Sequence, residues 1–290
     1  MSLPAISSLL GPLFNSTQAE EFLHREGVFY SELPCPKCGD ILRVNLVRKA
    51  FRCNRRSCRC DFSYRLHTFF HGSQLDSAQI LHLGYIWLNR CSQTQAMNQT
   101  GHASGTVTTF FKHFRRLVAS TLDESDAQIG GLNIEVEVDE TKLGKRKYNR
   151  GHRVDGVWIV AGVERTEDRK VFMVKVQDRT AETLLDIISR HVLPGSIVYT
   201  DMHRGYSQIE TRLGLSHATV NHSLFFRDPV TGVTTNTIEG TNNALKIMIK
   251  PRNRTRDVDD HLAEFVWRRK HNGHLWEAFV AALRDIHYDF

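Results

Sequence analysis

Cysteine spacing constrains this chain more than any other feature. Five of its six cysteines, Cys35, Cys38, Cys53, Cys58 and Cys60, fall within 26 residues, and Cys91 stands apart. A disulfide framework would scatter such residues, whereas a local cluster points to reduced thiols around a metal. Cys35-Pro-Lys-Cys38 and Cys53-Asn-Arg-Arg-Ser-Cys58 form two close pairs separated by the 14 residues 39–52. Zn²⁺ takes four tetrahedral thiolates at ~2.3 Å, and two short-range pairs on facing turns supply them. Gly39 permits a tight turn after Cys38, and nearby Arg and Lys ease thiol deprotonation. One structural Zn²⁺ on Cys35, Cys38, Cys53 and Cys58 is therefore expected. Cys60 is the alternative to Cys58, because the second pair is more widely spaced than usual. Cys91 is expected in a helix core.

The flanks of this cluster are unusually basic. Arg43, Arg48, Lys49, Arg52, Arg55, Arg56, Arg59 and Arg65 are interleaved with Phe51, Phe62 and Tyr64, and Asp61 is the only acid between residues 43 and 65. A solvated face would carry both signs, so phosphate contact, with Arg52, Arg55 and Arg56 foremost, explains the bias better. The whole chain agrees, with a net charge of +6. Its 290 residues, 41% apolar, suffice for more than one small domain. The N-terminus lacks the basic start and long apolar core of a signal peptide, and no apolar run reaches membrane-spanning length. The expectation is a soluble intracellular protein with no membrane partner, nuclear in a eukaryote and otherwise cytoplasmic.

Three regions follow along the chain. Residues 1–72 hold a short helix over 17–27, capped by Thr17 and stopped by Gly27, and then the cysteine cluster. Residues 73–125 show helical periodicity over 76–90, a short helix capped by Ser92 and turned by Gly101, and a third helix over 104–121. Two short helices about a glycine turn have the outline of a helix-turn-helix. Residues 132–290 alternate strand and helix signals. IEVEV (134–138), VWIVAGV (157–163) and VFMVKV (171–176) read as strands. A helix capped by Thr180 follows, then strand SIVYT (196–200), a strand over 218–226 and a helix from about Asn236. Two amphipathic helices, about 257–272 and 274–286, close the chain. Three strands, helix, strand, helix, strand, helix is the succession of a ribonuclease-H-like α/β domain with a mixed sheet.

Carboxylates at element ends are the residues in this third region with catalytic potential. A two-metal phosphodiester site needs a few rigid acids converging on Mg²⁺, which prefers oxygen ligands and keeps several waters. Asp139 closes IEVEV, Asp201 closes SIVYT, and Glu239 falls in the first turn of the helix after NTIEG. Glu135 and Glu137 share Asp139's strand face by period-two alternation, so periodicity does not choose among the three. GKRKYNRGHR (144–153) adds a basic loop with Lys145, Arg146, Lys147 and Arg150. Lys246, Lys250, Arg252, Arg254 and Arg256 trail Glu239. All are suited to gripping a DNA backbone.

Several blocks resemble one known family. VEVDETKLGKRKYNRGHRVDGVWIVAGVER, QDRTAETLLDIISRHVLPGSIVYTDMHRGY and VNHSLFFRDPVTGVTTNTIEGTNNALK are similar to the catalytic blocks of Merlin-type DDE transposases and their bacterial insertion-sequence relatives. CPKCGD, FRCNRRSCRCDFS and TFFHGSQL resemble the zinc ribbon that precedes this domain in the family, and EFVWRRKHNG resembles its closing segment. The resemblance covers roughly residues 17–285. It implies that Asp139, Asp201 and Glu239 are the catalytic acids, holding two Mg²⁺ (or Mn²⁺), with Asn236 the alternative at the third position. It also implies a site-proximal role for His222. The expected partners are DNA, as terminal inverted repeats and as target, and further copies of the chain, as a homodimer or larger oligomer.

Overall fold

The computed structural model describes residues 3–144, 156–220, 234–254 and 257–288. The chain forms two compact units: Met1–Thr121 with His271–Phe290, and Leu122–Lys270. No helix among the described residues is long and apolar enough to cross a membrane.

The first unit begins with helices α1 (Leu10–Phe14) and α2 (Ser16–Arg25). The cap of α2 is Asn15, not Thr17 as the sequence suggested: Asn15 Oδ1 accepts the Gln18 N–H at 3.0 Å. Asn and Thr are both competent caps, so the spare polar residue upstream decided the boundary. Strands β1 (Glu32–Pro34), β2 (Ile41–Asn45), β3 (Ala50–Arg52) and β4 (Asp61–Ser63) form an antiparallel ribbon in chain order. Helices α3 (Ser77–Leu88), α4 (Gln93–Thr100) and α5 (Ser104–Ala119) follow. Asp76 with Gln79 and Ser92 with Gln95 make reciprocal capping boxes on α3 and α4. Gly101 then turns the chain with φ +71°, which only glycine adopts without strain. Cys91 sits half-buried in the turn between α3 and α4 rather than inside a helix.

The second unit is built on one five-stranded sheet. Strand β5 (Ile129–Gly130) is a short outlier. Strands β6 (Glu135–Leu143), β7 (Val157–Glu164) and β8 (Val171–Val176) form an antiparallel meander. Helix α6 (Ala181–His191) starts at Thr180, whose Oγ1 accepts the Thr183 N–H at 3.3 Å. After β9 (Val192–Leu193), which pairs with β5, strand β10 (Ile197–Asp201) runs parallel to β6. Helix α7 (Ile209–Leu213) leads to β11 (Ser216–Val220), parallel to β10. The sheet order is β11-β10-β6-β7-β8, the mixed ribonuclease-H-like sheet expected from the succession of elements. Helices α8 (Asn236–Met248) and α9 (Val258–Lys270) complete the unit.

Period-two alternation divides the core into two layers. Val136, Val138, Val160 and Val198 face α6 with Leu184, Leu185, Ile187 and Ile188. Ile159, Ala161 and Val163 face α8 and α9 with Ile238, Leu245, Leu262 and Phe265. Both faces of the central strands are therefore covered, which is why these strands read as near-continuous apolar runs.

Two sequence expectations shift. Strand β6 does not end at Val138 but continues through Leu143, because β7 offers antiparallel partners as far as Leu143↔Val157. Asp139 is thus a mid-strand residue. The final helix, α10 (Leu275–Asp285), belongs with the first unit and not with the sheet domain to which residues 132–290 were assigned. Its Phe279 ring lies 5.3 Å from Phe114 of α5 and against α3 at Gly84, where an added Cβ would come within 2.7 Å of that ring.

Candidate metal and catalytic site

Strand register brings two of the expected acids together. Strands β6 and β10 pair in parallel through Glu137↔Tyr199, so Asp139 and Asp201, each two residues further on, emerge side by side. Both lie on the sheet face that α8 covers. Oxygens of Asp139, Asp201 and Glu140 all lie within 4.8 Å of one another. Asp201 Oδ1 accepts the backbone N–H of His203 at 2.9 Å, which fixes the turn after β10.

Helix α8 contributes an amide to this group. Asn242, 3% exposed, donates from Nδ2 to Asp139 Oδ2 at 2.9 Å, and its Oδ1 is buried without a hydrogen-bond partner among the described residues. Glu239 lies one helical turn upstream on the same face. It is exposed in the first turn of α8 and is not a member of the three-acid group. Asn236 is exposed at the first residue of the helix. Lys246 is half-buried two turns beyond Glu239. Lys145, Arg146, Lys147, Arg150 and His222 lie outside the described residues.

The environment disfavours negative charge. Burial, reinforced by the charges of Glu140 and Asp201 and opposed by the Asn242 hydrogen bond, raises the Asp139 carboxyl to about 6. Burial also raises Glu140, against the offsetting charges of Arg179 and of His203 when protonated. Asp139 and Glu140, with raised affinity for protons and Asp201 beside them, are equally suited to a divalent cation, which relieves the same repulsion.

Glu135 and Glu137, which periodicity left level with Asp139, are committed elsewhere. Arg165 Nε donates to Glu137 Oε1 at 2.6 Å and Nη1 to Glu135 Oε2 at 2.8 Å. Its Nη2 reaches Thr234 O at 3.0 Å and Oγ1 at 2.8 Å. The other oxygen of the fully buried Glu137 accepts the Ile238 N–H at 2.8 Å, inside the first turn of α8. A carboxylate at a helix N-terminus is favourably placed. The Arg165 fork therefore pins the helix that carries Glu239 and Asn242 onto the sheet.

The cysteines form a second, separate group. Sγ atoms of Cys35, Cys38, Cys53 and Cys58 all lie within 4.8 Å of one another. Cys35–Cys58 and Cys38–Cys53 separations are 3.7 Å and 3.5 Å. A tetrahedron with ~2.3 Å zinc–sulfur bonds has edges of ~3.8 Å, so the spacing fits four thiolates on one ion. Gly39 after Cys38 and Arg59 after Cys58 both take positive φ, +77° and +48°, giving two matching knuckles. The arrangement is that of a zinc ribbon. Cys60, the alternative ligand, lies 3.2 Å from Cys58 but outside the group of four.

Basic residues of the ribbon divide by task. Lys49 pairs with Glu20 at 2.8 Å, and Arg65 bonds Leu75 O and Ser77 Oγ, so both serve packing. Arg43, Arg48, Arg52 and Arg59 line an open concavity of about 790 Å³ on the ribbon face. Arg52 lies 3.8 Å from Asp61 and Arg55 3.6 Å from Asp40, while Arg56 is exposed.

Sequence reasoning missed Glu140, Asn242 and Arg165. The first adjoins Asp139, and the second follows Glu239 at helical spacing, so both carried a faint signal. Arg165 carried none, because its role depends on partners about 30 and about 70 residues away along the chain.

Residues 129–270 match the family described as ISXO2-like transposase domain. A 59-residue stretch is 42% identical to an uncharacterized transposase-like protein of Haemophilus influenzae, covering 20% of this chain and 47% of that protein. The match thus spans less than half of that relative. Among solved structures, the pre-cleavage Mos1 transpososome aligns over 76% of this chain and 82% of that one, with 11% identity and a TM-score of 0.22. The Mos1 strand transfer complex aligns over 76% and 81%, with 14% identity and a TM-score of 0.25. Likenesses that loose carry no argument about fold or function. The sheet order and the paired strand acids fall within the same region, residues 129–270, that is similar to the ISXO2-like transposase domain and makes up just under half of the chain.

Proposed function

We propose that this chain cuts the ends of its own mobile element and joins them to target DNA by metal-dependent phosphoryl transfer. The observation that carries the reading is the register that sets Asp139 and Asp201 side by side beneath α8. Oxygen ligands of this kind suit Mg²⁺ or Mn²⁺, two per site in this reading, and the raised Asp139 fits a carboxylate built to face a cation. Bound there, the cations would polarise the attacking oxygen and stabilise charge on the leaving one. Asp139 and Asp201 hold them from the sheet. Asn242 orients Asp139, and Glu239 is the third acid, supplied from α8 as DNA enters.

The four cysteines hold one structural Zn²⁺, and the ribbon's arginines, Arg52, Arg55 and Arg56 included, contact phosphate with no sequence preference of their own. Lys246 of α8 contributes to the grip on DNA, and in this reading so do Lys145, Arg146, Lys147 and Arg150. Two ends must be cut in concert, so the working form is a homodimer or larger assembly on DNA.

The test uses the purified full chain, Mg²⁺ or Mn²⁺, and duplexes bearing the ends that flank its gene. Nicks that leave 3′-OH ends, followed by joined products, are expected. Equal cutting by Asp201→Asn overturns the reading. Cleavage guided by DNA structure with no joined product would mark a nuclease instead, and metal-independent binding with no cleavage would mark a DNA-binding regulator.

A further inference from the structure

Glu140 has no structural occupation that explains its burial. Its side chain is 3% exposed, and Oε1 is buried without a hydrogen bond among the described residues. The nearest basic group is His203, with Nδ1 at 3.8 Å, and that nitrogen already accepts the Gly205 N–H at 3.3 Å. Arg179 acts on Glu140 only through its charge. The hydroxyl of Tyr206 is also buried on this side; as a neutral donor facing Glu140 it is the weakest of the influences on that carboxylate and does not offset its burial. Elsewhere in this unit buried acids are satisfied: Glu137 takes Arg165 and Ile238 N–H, and Glu164 takes Gly130 N–H and Thr166. A buried carboxylate with an empty acceptor is expensive to keep, and more so with two like charges beside it.

Position supplies the missing partner. Alternation along β6 sends Glu140 to the face opposite Asp139, toward Tyr206, yet one of its oxygens remains within 4.8 Å of oxygens of both Asp139 and Asp201. The three acids thus converge from both faces of the strand on one small volume. Hard divalent cations are the ligands that such an oxygen cluster would take.

Building on the transposase reading above, we propose that Glu140 is a further carboxylate ligand of the cation held by Asp139 and Asp201. The sheet alone then supplies three acids, and the chain loads a cation before DNA arrives and without Glu239. Glu239, outside the group, acts only once DNA occupies the site.

Mn²⁺ titration of the full-length chain without DNA, followed by calorimetry and by loss of the free-ion paramagnetic signal, tests this. Glu140→Gln is expected to weaken binding by at least about tenfold, comparable to the loss of other groups that support a metal site. Glu239→Gln should leave it within about threefold, and Asp201→Asn should abolish it. Wild-type affinity in Glu140→Gln together with loss in Asp201→Asn overturns the role of Glu140 and leaves the transposase reading standing. Wild-type affinity in Asp201→Asn as well removes the cation site itself and overturns both. Should Glu140→Gln fail to fold, Glu140→Asp keeps the charge and withdraws the oxygen by one methylene. Weakening by about tenfold then supports the proposal, and unchanged affinity overturns it.

Discussion

Replacing Arg165 by alanine should damage the second unit out of proportion to one surface arginine. Burial alone would make its guanidinium easier to deprotonate, but its hydrogen bonds to Glu135 and Glu137 and their charges outweigh that and hold it charged. Glu137 is fully buried and keeps one oxygen on Arg165 and the other on the Ile238 N–H. Removing one partner of a buried ion pair costs ~3–5 kcal/mol, because the other charge is left uncompensated. Arg165 retains 25% side-chain exposure, which admits water to the site and favours the low end, about 3 kcal/mol. For a unit spanning Leu122–Lys270, that corresponds to a fall of roughly 6–12 °C in Tm. The informative comparison is the double variant. Glu137→Gln removes the stranded charge while preserving an acceptor for Ile238 N–H, so Arg165→Ala/Glu137→Gln should be more stable than Arg165→Ala alone. Thermal and urea unfolding of the four proteins closes the cycle. A loss under about 1 kcal/mol for Arg165→Ala, or simple additivity in the double variant, would refute the claim that this fork anchors α8.

Other consequences follow from the same geometry. Asn242→Ala removes a hydrogen bond that favours ionised Asp139, so protons should compete better for that carboxyl. Mn²⁺ affinity should then fall by about fivefold at pH 6 and by less at pH 8; an equal fall at both would show that Asn242 acts by another route. Asp139 itself costs stability in the metal-free chain. Its carboxyl is raised from 3.8 to about 6, so the stability it allows is complete below about pH 4 and is lost as pH rises through 6. Asp139→Asn should therefore stabilise the chelator-treated protein at pH 7.5 by up to roughly 3 kcal/mol and have little effect at pH 4, as read by calorimetry at the two values. In the ribbon, Cys58→Ser should lose bound zinc on metal analysis while Cys60→Ser retains one equivalent; the reverse pattern would move the fourth ligand to Cys60.

Local chemistry was the legible part of the fold. Ser92 and Thr180 read as caps and are caps, since an N-cap needs only a side-chain oxygen and a backbone N–H two or three residues on. The strand runs were legible for the same reason, and their succession pointed to a mixed ribonuclease-H-like sheet without giving the order of its strands. What escaped notice depended on distant partners. Strand β6 outlasts its apolar pattern because β7 is long enough to pair with it. Helix α10 is amphipathic whichever unit it joins, and its own sequence does not say that Phe279 seeks Phe114 and the bare surface at Gly84.

The acids show the same limit more sharply. Glu135, Glu137 and Asp139 alternate on one face of one strand, and nothing within that strand distinguishes them. Arg165, at the far end of the neighbouring strand, neutralises the first two. Asp139 is left beyond its reach, opposite Asp201 and beside the amide of Asn242. Selection of the site is thus an act of neutralisation: the sheet presents a row of carboxylates, and one guanidinium decides which stay available for a cation. If so, restoring charge should relocate the site. In Arg165→Ala, Glu137 and Glu135 become unpaired acids two and four residues from Asp139, and Mn²⁺ should bind in more than one place or with altered stoichiometry. A clean single-site titration in that variant, with Asp201→Asn still abolishing it, would show instead that strand register alone defines the site.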